Sequence, residues 1–319
     1  MRTLRHGFVT GALALATLSA VACGADGPAS TSGPERTDLK VGVLPTWDAA
    51  AVYLAVDKGY FKAEGLTVTP VVLASSEEAV SRNLSGAVDI AHDGYVSPIM
   101  AASKGLPLRI IVDSARAKRD MYVIVAPKTS AIHEPEDLAG TTIGMLNSKG
   151  LPALLTRAAL RSAGVDTAGV RFVDVSYPTM GAALQNGSVD ASFATDPFLT
   201  RFKQTLGVRV VLDTIGGPTD DFPIGCYHTT KRFAEQNPRT VAAFQRAMAR
   251  AQRLAVRDRA EVTRILPTYI SGLTPQTADT VAIGDFSPAK DKRLAQRVAD
   301  FMTEQHVLDG HFDVSGMTD

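Results

Sequence analysis

Short polar and aromatic segments that could bind a small ligand follow strand-like apolar runs at several positions in the chain. In the first, residues 46–48 (TWD) join the apolar run 39–44 to a helix-like stretch at 49–58. The first N–H groups of a helix lack partners within the helix and lie at its positive end, so such a corner suits an anion. The candidate binding residues at this and comparable corners are Thr46, Trp47, Asp48, His92, Tyr95, Asn147, Ser148, Lys149, Thr179, Thr195 and Asp196.

Two of these corners, at Ser148 and Thr179, are the candidates for holding an oxyanion. Their hydroxyl groups and the neighbouring main-chain N–H groups are hydrogen-bond donors, and Lys149 adds a positive charge. Ser148 could instead cap the helix that follows it, or do both. These residue types suit the oxygen atoms of a small anion.

The other candidates would contact the rest of the ligand. Trp47, the only tryptophan of the chain, is either an aromatic cover for the ligand or a core residue, and Tyr95 has the same two interpretations. Asp196 precedes a proline at a strand end, so its carboxylate either faces the site, where it favours an amine, or caps a turn. His92 either hydrogen-bonds the ligand or is a loop histidine satisfied by the protein.

The elements that carry these corners occur twice in the chain. The matching pairs are 41–44 (VGVL) with 143–146 (IGML), 65–68 (GLTV) with 169–172 (GVRF), and 84–89 (LSGAVD) with 185–190 (QNGSVD). The period is longer than that of solenoid repeats, which run about 20–50 residues. It predicts an α/β protein of two similar lobes whose facing strand ends form a cleft.

The order of the predicted strands assigns three segments to these two lobes. Residues 38–122 and 225–319 are predicted to form lobe 1, and residues 123–224 lobe 2. Strand-like runs at 121–126 and 224–228 are predicted where the chain crosses between the lobes. Two such crossings would let the lobes hinge with little repacking inside either of them.

The composition excludes several functional classes. The chain has 319 residues with 33 basic and 33 acidic side chains, which argues against a nucleic-acid binder that works by general charge. Its two cysteines provide neither a disulfide framework nor a thiolate metal site. No histidine pair has metal-ligand spacing, and neither a G-x-S-x-G elbow nor a phosphate loop is present. We therefore predict no metal, no cofactor and no catalytic residue.

The N-terminal residues predict export. Residues 1–23 have a basic start followed by an apolar stretch at 7–22 that is shorter than the ~20 residues of a membrane-spanning helix. The segment ends in 20–23 (AVAC), which resembles a bacterial lipobox, so Cys23 is the predicted lipidation site; the alternative is an incidental cysteine at a cleavage site. Residues 24–37 are predicted to be a flexible tether. The prediction is a protein anchored by lipid to the outer face of the cytoplasmic membrane.

Several motifs resemble one family. They are 57–61 (DKGYF) with 64–66 (EGL), 137–140 (DLAG), 183–191 (ALQNGSVDA), 196–198 (DPF) and 207–210 (GVRV). In this order they resemble the substrate-binding proteins of bacterial ABC importers for aliphatic sulfonates, nitrate and taurine, a group that includes binders of thiamine-pyrimidine precursors. The resemblance implies the type 2 periplasmic-binding fold, with two crossing strands and closure on a small ligand. It also implies permease subunits as partners and a monomeric protein.

The resemblance leaves the ligand open. The stretch 183–198 is most similar to the sulfonate binders, so an aliphatic sulfonate or taurine is the favoured small organic anion. An aminopyrimidine and nitrate are the alternatives within the family. A cofactor-biosynthesis enzyme on the same fold is the alternative class, since fold does not determine function. The predicted export signal favours the binding protein over the enzyme.

Overall fold

The computed structural model describes residues 33–318, which belong to one compact unit. Eleven strands lie in this part of the chain: β1 Asp38–Val43, β2 Thr67–Val72, β3 Ile90–Gly94, β4 Leu108–Arg116, β5 Val123–Pro127, β6 Thr142–Met145, β7 Arg171–Asp174, β8 Ala191–Ala194, β9 Val208–Asp213, β10 Pro223–Thr230 and β11 Asp285–Phe286. Its α-helices are α1 Ala50–Asp57, α2 Tyr60–Ala63, α3 Ser76–Leu84, α4 Val96–Ser103, α5 Leu151–Ser162, α6 Tyr177–Gln185, α7 Phe198–Thr205, α8 Lys231–Gln236, α9 Pro238–Arg257, α10 Arg259–Ile265, α11 Pro275–Ala278, α12 Lys292–Glu304 and α13 Ser315–Thr318.

The strands form two sheets with the same arrangement. The first has the order β11-β4-β10-β3-β1-β2 and the second β7-β6-β8-β5-β9. In each, a central strand (β1 or β6) has parallel neighbours on both sides, and the next strand along the sheet (β10 or β5) is antiparallel. The predicted α/β class with two similar sheets is confirmed.

The repeated segments 84–89 and 185–190 make the same main-chain contacts in both sheets. The Asp89 carboxylate accepts a hydrogen bond from the Lys40 N–H at 2.8 Å, and the Asp190 carboxylate accepts one from the Thr142 N–H at 2.8 Å. Gly86 and Gly187, three residues earlier, have φ values of +76° and +74°, a left-handed conformation that glycine adopts without the steric cost of a Cβ. The sequence repeat is therefore a structural repeat of helix, turn and strand.

Local sequence also explains the start of the first lobe. Gly59 follows the end of α1 with a φ of +67°, and Gly65 has a φ of +75° before β2. Buried apolar side chains of α1 pack on the long amphipathic helix α9. Phe61 of α2 also packs on α9, where its ring stacks on that of Phe244 with 5.2 Å between the centroids. The opposite face of α9 carries arginines, of which Arg246 pairs with Glu64 and Arg250 lies over the Tyr60 ring. That face is thus a solvated and partly ion-paired surface.

The chain passes between the two sheets at residues 117–122 and 214–222. These connections lie next to the segments predicted to cross, since β5 and β10 begin directly after them. They are hydrogen-bonded to each other: Ala117 N–H donates to the Phe222 carbonyl at 2.9 Å, and Thr214 N–H donates to the Tyr122 carbonyl at 2.9 Å. Two adjacent connections of this kind are a suitable hinge. The lobe boundaries 38–122, 123–224 and 225–319 stay a prediction.

The residues before β1 are held on the surface of the domain. The Glu35 carboxylate accepts hydrogen bonds from Arg239 N–H and Thr240 N–H, and these contacts hold its pKa down to about 2 although burial opposes this. Arg36 pairs with Asp89 at 3.0 Å. The predicted tether 24–37 is corrected here, because its last five residues contact the start of α9 instead of being free.

The predicted signal peptide 1–23, the lipidation site Cys23 and residues 24–32 of the tether lie outside the described residues. Within residues 33–318, no helix combines the length and apolar character needed to cross a bilayer.

Candidate ligand-binding cleft

A cavity of about 110 Å³ lies at the carboxyl ends of β1, β3, β6 and β8, between the two sheets. Its lining includes seven of the predicted binding residues: Thr46, Trp47, Asp48, His92, Asn147, Thr195 and Asp196. Strand ends of both sheets thus meet at one site, which is the position expected for a ligand in this class of fold. Tyr95, Ser148, Lys149 and Thr179 are not part of the lining.

A buried hydrogen-bonded group forms one wall. Asp48, in a 3₁₀ turn after β1, accepts a hydrogen bond from Ser114 Oγ at 3.0 Å and lies 2.9 Å from His92 Nε2. Gly225 on the intervening strand β10 makes this contact geometrically possible, because a Cβ there would lie 2.7 Å from Asp48 Oδ2. The predicted position of His92 in a corner is corrected: it lies within β3, and its partner is Asp48.

The environment of Asp48 keeps its carboxylate ionised. Burial raises the pKa of Asp48, but the charge of His92 and hydrogen bonds from His92, Thr46 and Ser114 outweigh this, and the pKa is lowered from 3.8. A negative charge therefore lies beside the cavity at neutral pH.

Aromatic rings form part of the remaining surface, together with aliphatic side chains such as Leu44, Leu146 and Ile224. Trp47 is 1% exposed and packs edge-on against Phe286, with ring centroids 5.5 Å apart, so both interpretations of this residue hold: it is a core residue that also lines the site. Tyr122 stacks on Phe193 at 5.8 Å, and Tyr177 lies at the start of α6. The cavity is bordered by four of these rings, those of Trp47, Tyr122, Tyr177 and Phe193. The site is accordingly apolar and aromatic with a few polar groups, which is typical of small-molecule sites.

Tyr95 is a structural residue. It is fully buried, its hydroxyl donates to the Asp113 carboxylate, and burial raises the pKa of the phenol well above its usual value. The prediction that Tyr95 lines the site is thus corrected: Tyr95, at the start of α4, has its side chain in the core, where it hydrogen-bonds Asp113 of β4.

The predicted oxyanion grip at Ser148 and Thr179 is also corrected. The Ser148 N–H, which was expected to face an anionic ligand, donates to the Asp174 carboxylate at 2.6 Å. Lys149 is exposed, and Thr179 is exposed with its hydroxyl bonded to Ser176 Oγ at 2.8 Å. The Asp174 carboxylate thus accepts the Ser148 N–H hydrogen bond that an anionic ligand was expected to accept. Helix α5 begins at Leu151 and has Gly150, not Ser148, as its N-cap.

Asn147 and Asp196 line the cavity and also reach across it. Asn147 Nδ2 donates to Glu77 Oε1 at 2.8 Å, and Asp196 Oδ2 accepts from the Ala282 N–H at 2.7 Å. The second oxygen of Asp196 accepts from Thr200 N–H at 2.9 Å, so the carboxylate caps the turn as well as facing the site.

Several lining residues were not expected from the sequence, above all Tyr122, Tyr177 and Phe193. Tyr177 is the first residue of α6 and Tyr122 directly precedes β5, so an aromatic residue at such a boundary was a usable signal. Phe193 lies inside the apolar strand β8, where nothing in the sequence separates it from core residues. Among the described residues, no group of three or more His, Cys, Asp or Glu side chains could hold a metal ion.

Two sheets with the same strand arrangement, two connections between them and a cavity at the facing strand ends define a two-lobed binding protein of the periplasmic-binding fold. The chain superposes on the alkanesulfonate-binding protein SsuA from Xanthomonas axonopodis pv. citri, solved with MOPS bound, with a TM-score of 0.73 and 20% identity over 89% of this chain and 99% of that chain. A family model described as NMT1/THI5 like matches residues 46–261, so the chain belongs to this family.

Curated relatives have names of binding proteins. The chain is 25% identical to the formylaminopyrimidine-binding protein of Halalkalibacterium halodurans over 80% of this chain and 77% of the relative. It is 28% identical to the taurine-binding periplasmic protein of Escherichia coli over 61% of this chain and 60% of the relative. These relatives agree with the prediction of a binding protein and not an enzyme.

Proposed function

We propose that this protein is the exported solute-binding component of an ABC importer and that its ligand is an aminopyrimidine or a similarly planar, amine-bearing heterocycle. The supporting observation is the lining of the cavity. It combines four aromatic rings with the carboxylate of Asp48, and none of the described lining residues is a lysine or an arginine. Of the two ligand classes left open by the sequence, this chemistry favours the heterocycle.

The same lining disfavours a sulfonate, taurine or nitrate. An anion buried without a positive partner is costly unless it receives several hydrogen bonds. Here Asp48 is itself an anion, and His92 is already engaged with it at 2.9 Å. Lys149, the cation predicted to assist, is exposed and outside the lining. A sulfonate in this cavity would thus lie near two carboxylates, and the basic side chain of the lining, His92, is already paired with Asp48.

An aminopyrimidine is complementary to these groups. Its flat ring can stack between aromatic side chains, an arrangement worth about 0.5–1.5 kcal/mol beyond the area buried. Its amino hydrogens can donate to a carboxylate, and hydrogen bonds to charged groups contribute about 1.5–3 kcal/mol each. The relative that binds formylaminopyrimidine, by its name, is consistent with this ligand class.

The proposal includes the route by which the protein reaches its ligand. Residues 1–23 would direct export, Cys23 would be lipidated, and the protein would work as a monomer that delivers the ligand to permease subunits in the same membrane. The family membership and the name of the periplasmic taurine-binding relative support export. Lipidation rests on the sequence pattern at 20–23 (AVAC) alone.

Calorimetry against a panel of aminopyrimidines, alkanesulfonates, taurine and nitrate tests the ligand class. We expect binding of at least one aminopyrimidine at micromolar Kd or tighter and no measurable heat with the anions. Tight binding of a sulfonate with no response to any pyrimidine would overturn the proposal.

A matched pair of variants tests the role of the rings. Tyr177→Phe keeps the aromatic face and Tyr177→Leu removes it, so only the second should weaken binding, by about three- to tenfold. Equal loss in both variants would assign the effect to the hydroxyl and contradict stacking.

A further inference from the structure

Two hydrogen bonds connect cavity-lining residues of one half of the molecule to residues of the other half. We propose that these bonds, Asp196 to Ala282 and Asn147 to Glu77, are latches that form only around a ligand small enough to let the halves close, and that they make the site selective for ligand size. This inference depends on the proposed function only for the choice of probe compounds.

Asp196 is oriented for this role by its own half of the protein. Oδ1 accepts hydrogen bonds from Thr200 N–H at 2.9 Å and Thr200 Oγ1 at 2.8 Å, at the start of α7. Oδ2 is thereby directed at the Ala282 N–H of the other half, 2.7 Å away. The residue is 6% exposed. Separation of the halves removes one of the three hydrogen-bond donors to this carboxylate. That loss is unfavourable, because a buried carboxylate is costly without donors.

The Ala282 segment is held firmly from behind. Arg259 Nη2 donates to the carbonyl oxygen of Val281 at 2.5 Å and lies 3.3 Å from that of Asp279. Gly284 packs so closely that a Cβ there would lie 2.2 Å from the Arg116 carbonyl oxygen and 3.0 Å from Trp47 Cη2. A bulky ligand therefore cannot push this segment aside without breaking contacts on the far side.

Asn147 makes the corresponding latch from the end of β6. Its Oδ1 accepts the Lys149 N–H at 2.8 Å, which orients the amide so that Nδ2 faces Glu77 Oε1 at 2.8 Å. Glu77 lies in the first turn of α3, on the other half. Both latches thus begin at cavity-lining residues of the five-stranded half and end on the six-stranded half.

The lengths of these bonds set a sharp limit on ligand size. A ligand that holds the halves 1 Å further apart along the bond would lengthen the Asp196–Ala282 contact from 2.7 Å to about 3.7 Å, beyond hydrogen-bond range. A ligand that fits gains both latches, and one that is slightly too large gains neither. Asp196 and Asn147 then determine specificity without contacting the ligand.

The test measures Kd for 4-aminopyrimidines with 5-substituents of increasing length, in the wild-type protein and four variants. Asp196→Ala and Glu77→Ala each remove a latch. Thr200→Val keeps the Thr200 N–H that holds Asp196 Oδ1 and removes only the hydroxyl donor, and Glu77→Gln keeps an acceptor for Asn147. If the panel shows that a sulfonate is the ligand, alkanesulfonates of increasing chain length take the place of the pyrimidines, so the latch is tested whether or not the proposed ligand class holds.

For the smallest ligand we expect Asp196→Ala to raise Kd about tenfold and Glu77→Ala about threefold, since one charged hydrogen bond is lost in each case. For the longest ligand we expect less than a twofold change, because the wild-type latches do not form around it. The Kd values of Glu77→Gln and Thr200→Val should equal those of the wild type for every ligand of the series. Exchange of the Ala282 amide hydrogen, measured with the smallest ligand at saturation, should be faster in Asp196→Ala than in the wild type and in the other variants.

Three outcomes would overturn the inference. If the latch variants raise Kd by the same factor for every ligand, closure does not depend on ligand size. If the rise in Kd in Asp196→Ala depends on the presence of the 4-amino group and not on the length of the 5-substituent, Asp196 is a ligand contact. Unchanged exchange at Ala282 in Asp196→Ala would mean that the latch bond does not protect this amide. Should Asp196→Ala fail to fold, the pair Glu77→Ala and Glu77→Gln, on an exposed helix position, decides the question.

Discussion

Replacement of Asp48 by asparagine tests the central polar group of the cleft. The Asp48 carboxylate is buried and accepts hydrogen bonds from His92 and Ser114 at 2.9 and 3.0 Å. Each such bond to a charged group contributes about 1.5–3 kcal/mol, and asparagine can retain one acceptor contact while turning an N–H toward another donor. We therefore expect Asp48→Asn to lower the free energy of unfolding by about 3 kcal/mol at pH 7.

The loss should depend on pH in a defined direction. The pKa of Asp48 is lowered in the folded protein, so its carboxylate stabilises the fold above the unfolded-state pKa of about 3.9 and stops doing so as the pH falls through the folded pKa. Asparagine has no such titration. The contribution of Asp48 ionisation to the stability difference between wild type and Asp48→Asn should therefore shrink below about pH 4, at no more than about 1.4 kcal/mol per pH unit.

Urea unfolding followed by circular dichroism between pH 3 and 7 measures both effects. Asp57→Asn is the control: Asp57 is an exposed partner of Arg264, and exposed ion pairs contribute about 0–1 kcal/mol. Other carboxylates, such as Glu35, also weaken the fold at acid pH, but they are common to both proteins and cancel in the difference. A loss below 1 kcal/mol, or a difference that is as large at pH 3 as at pH 7, would refute an ionised, hydrogen-bonded Asp48.

Four further substitutions have expected outcomes. Asp89→Ala should cost about 3 kcal/mol in urea unfolding and Asp190→Ala about 1 kcal/mol, because the two make the same main-chain bond but only Asp89 is buried and ion-paired; equal costs would contradict the role of burial. Gly284→Ala should lower stability by about 2–3 kcal/mol, since its Cβ would overlap the carbonyl oxygen of Arg116; a thermal melting temperature equal to that of wild type would show that this loop moves freely. Cys23→Ser should release the protein from the membrane fraction, and unchanged fractionation would argue against lipidation there.

The positions of the strands and the location of the site follow from local sequence. The pairs 41–44 and 143–146, and 84–89 and 185–190, predicted two sheets of the same design, because apolar runs, left-handed glycines and capping carboxylates act over a few residues. Corners at the ends of parallel strands meet at one edge by topology alone. For this reason Thr46, Asn147 and Thr195 could be assigned to the cleft before any tertiary contact was known.

What the sequence by itself could not determine is which donors and charges stay available at those corners. Ser148 has the residue type and position of an anion-binding corner, yet its N–H belongs to Asp174, a residue 26 positions further along the chain. Asp196 is directed at Ala282, 86 positions away. Side-chain orientation depends on partners brought close by packing, and those partners have no sequence signal of their own. The sequence therefore determined the fold and the place of the cleft, whereas the aromatic, carboxylate-bearing chemistry of its interior was decided by the tertiary structure.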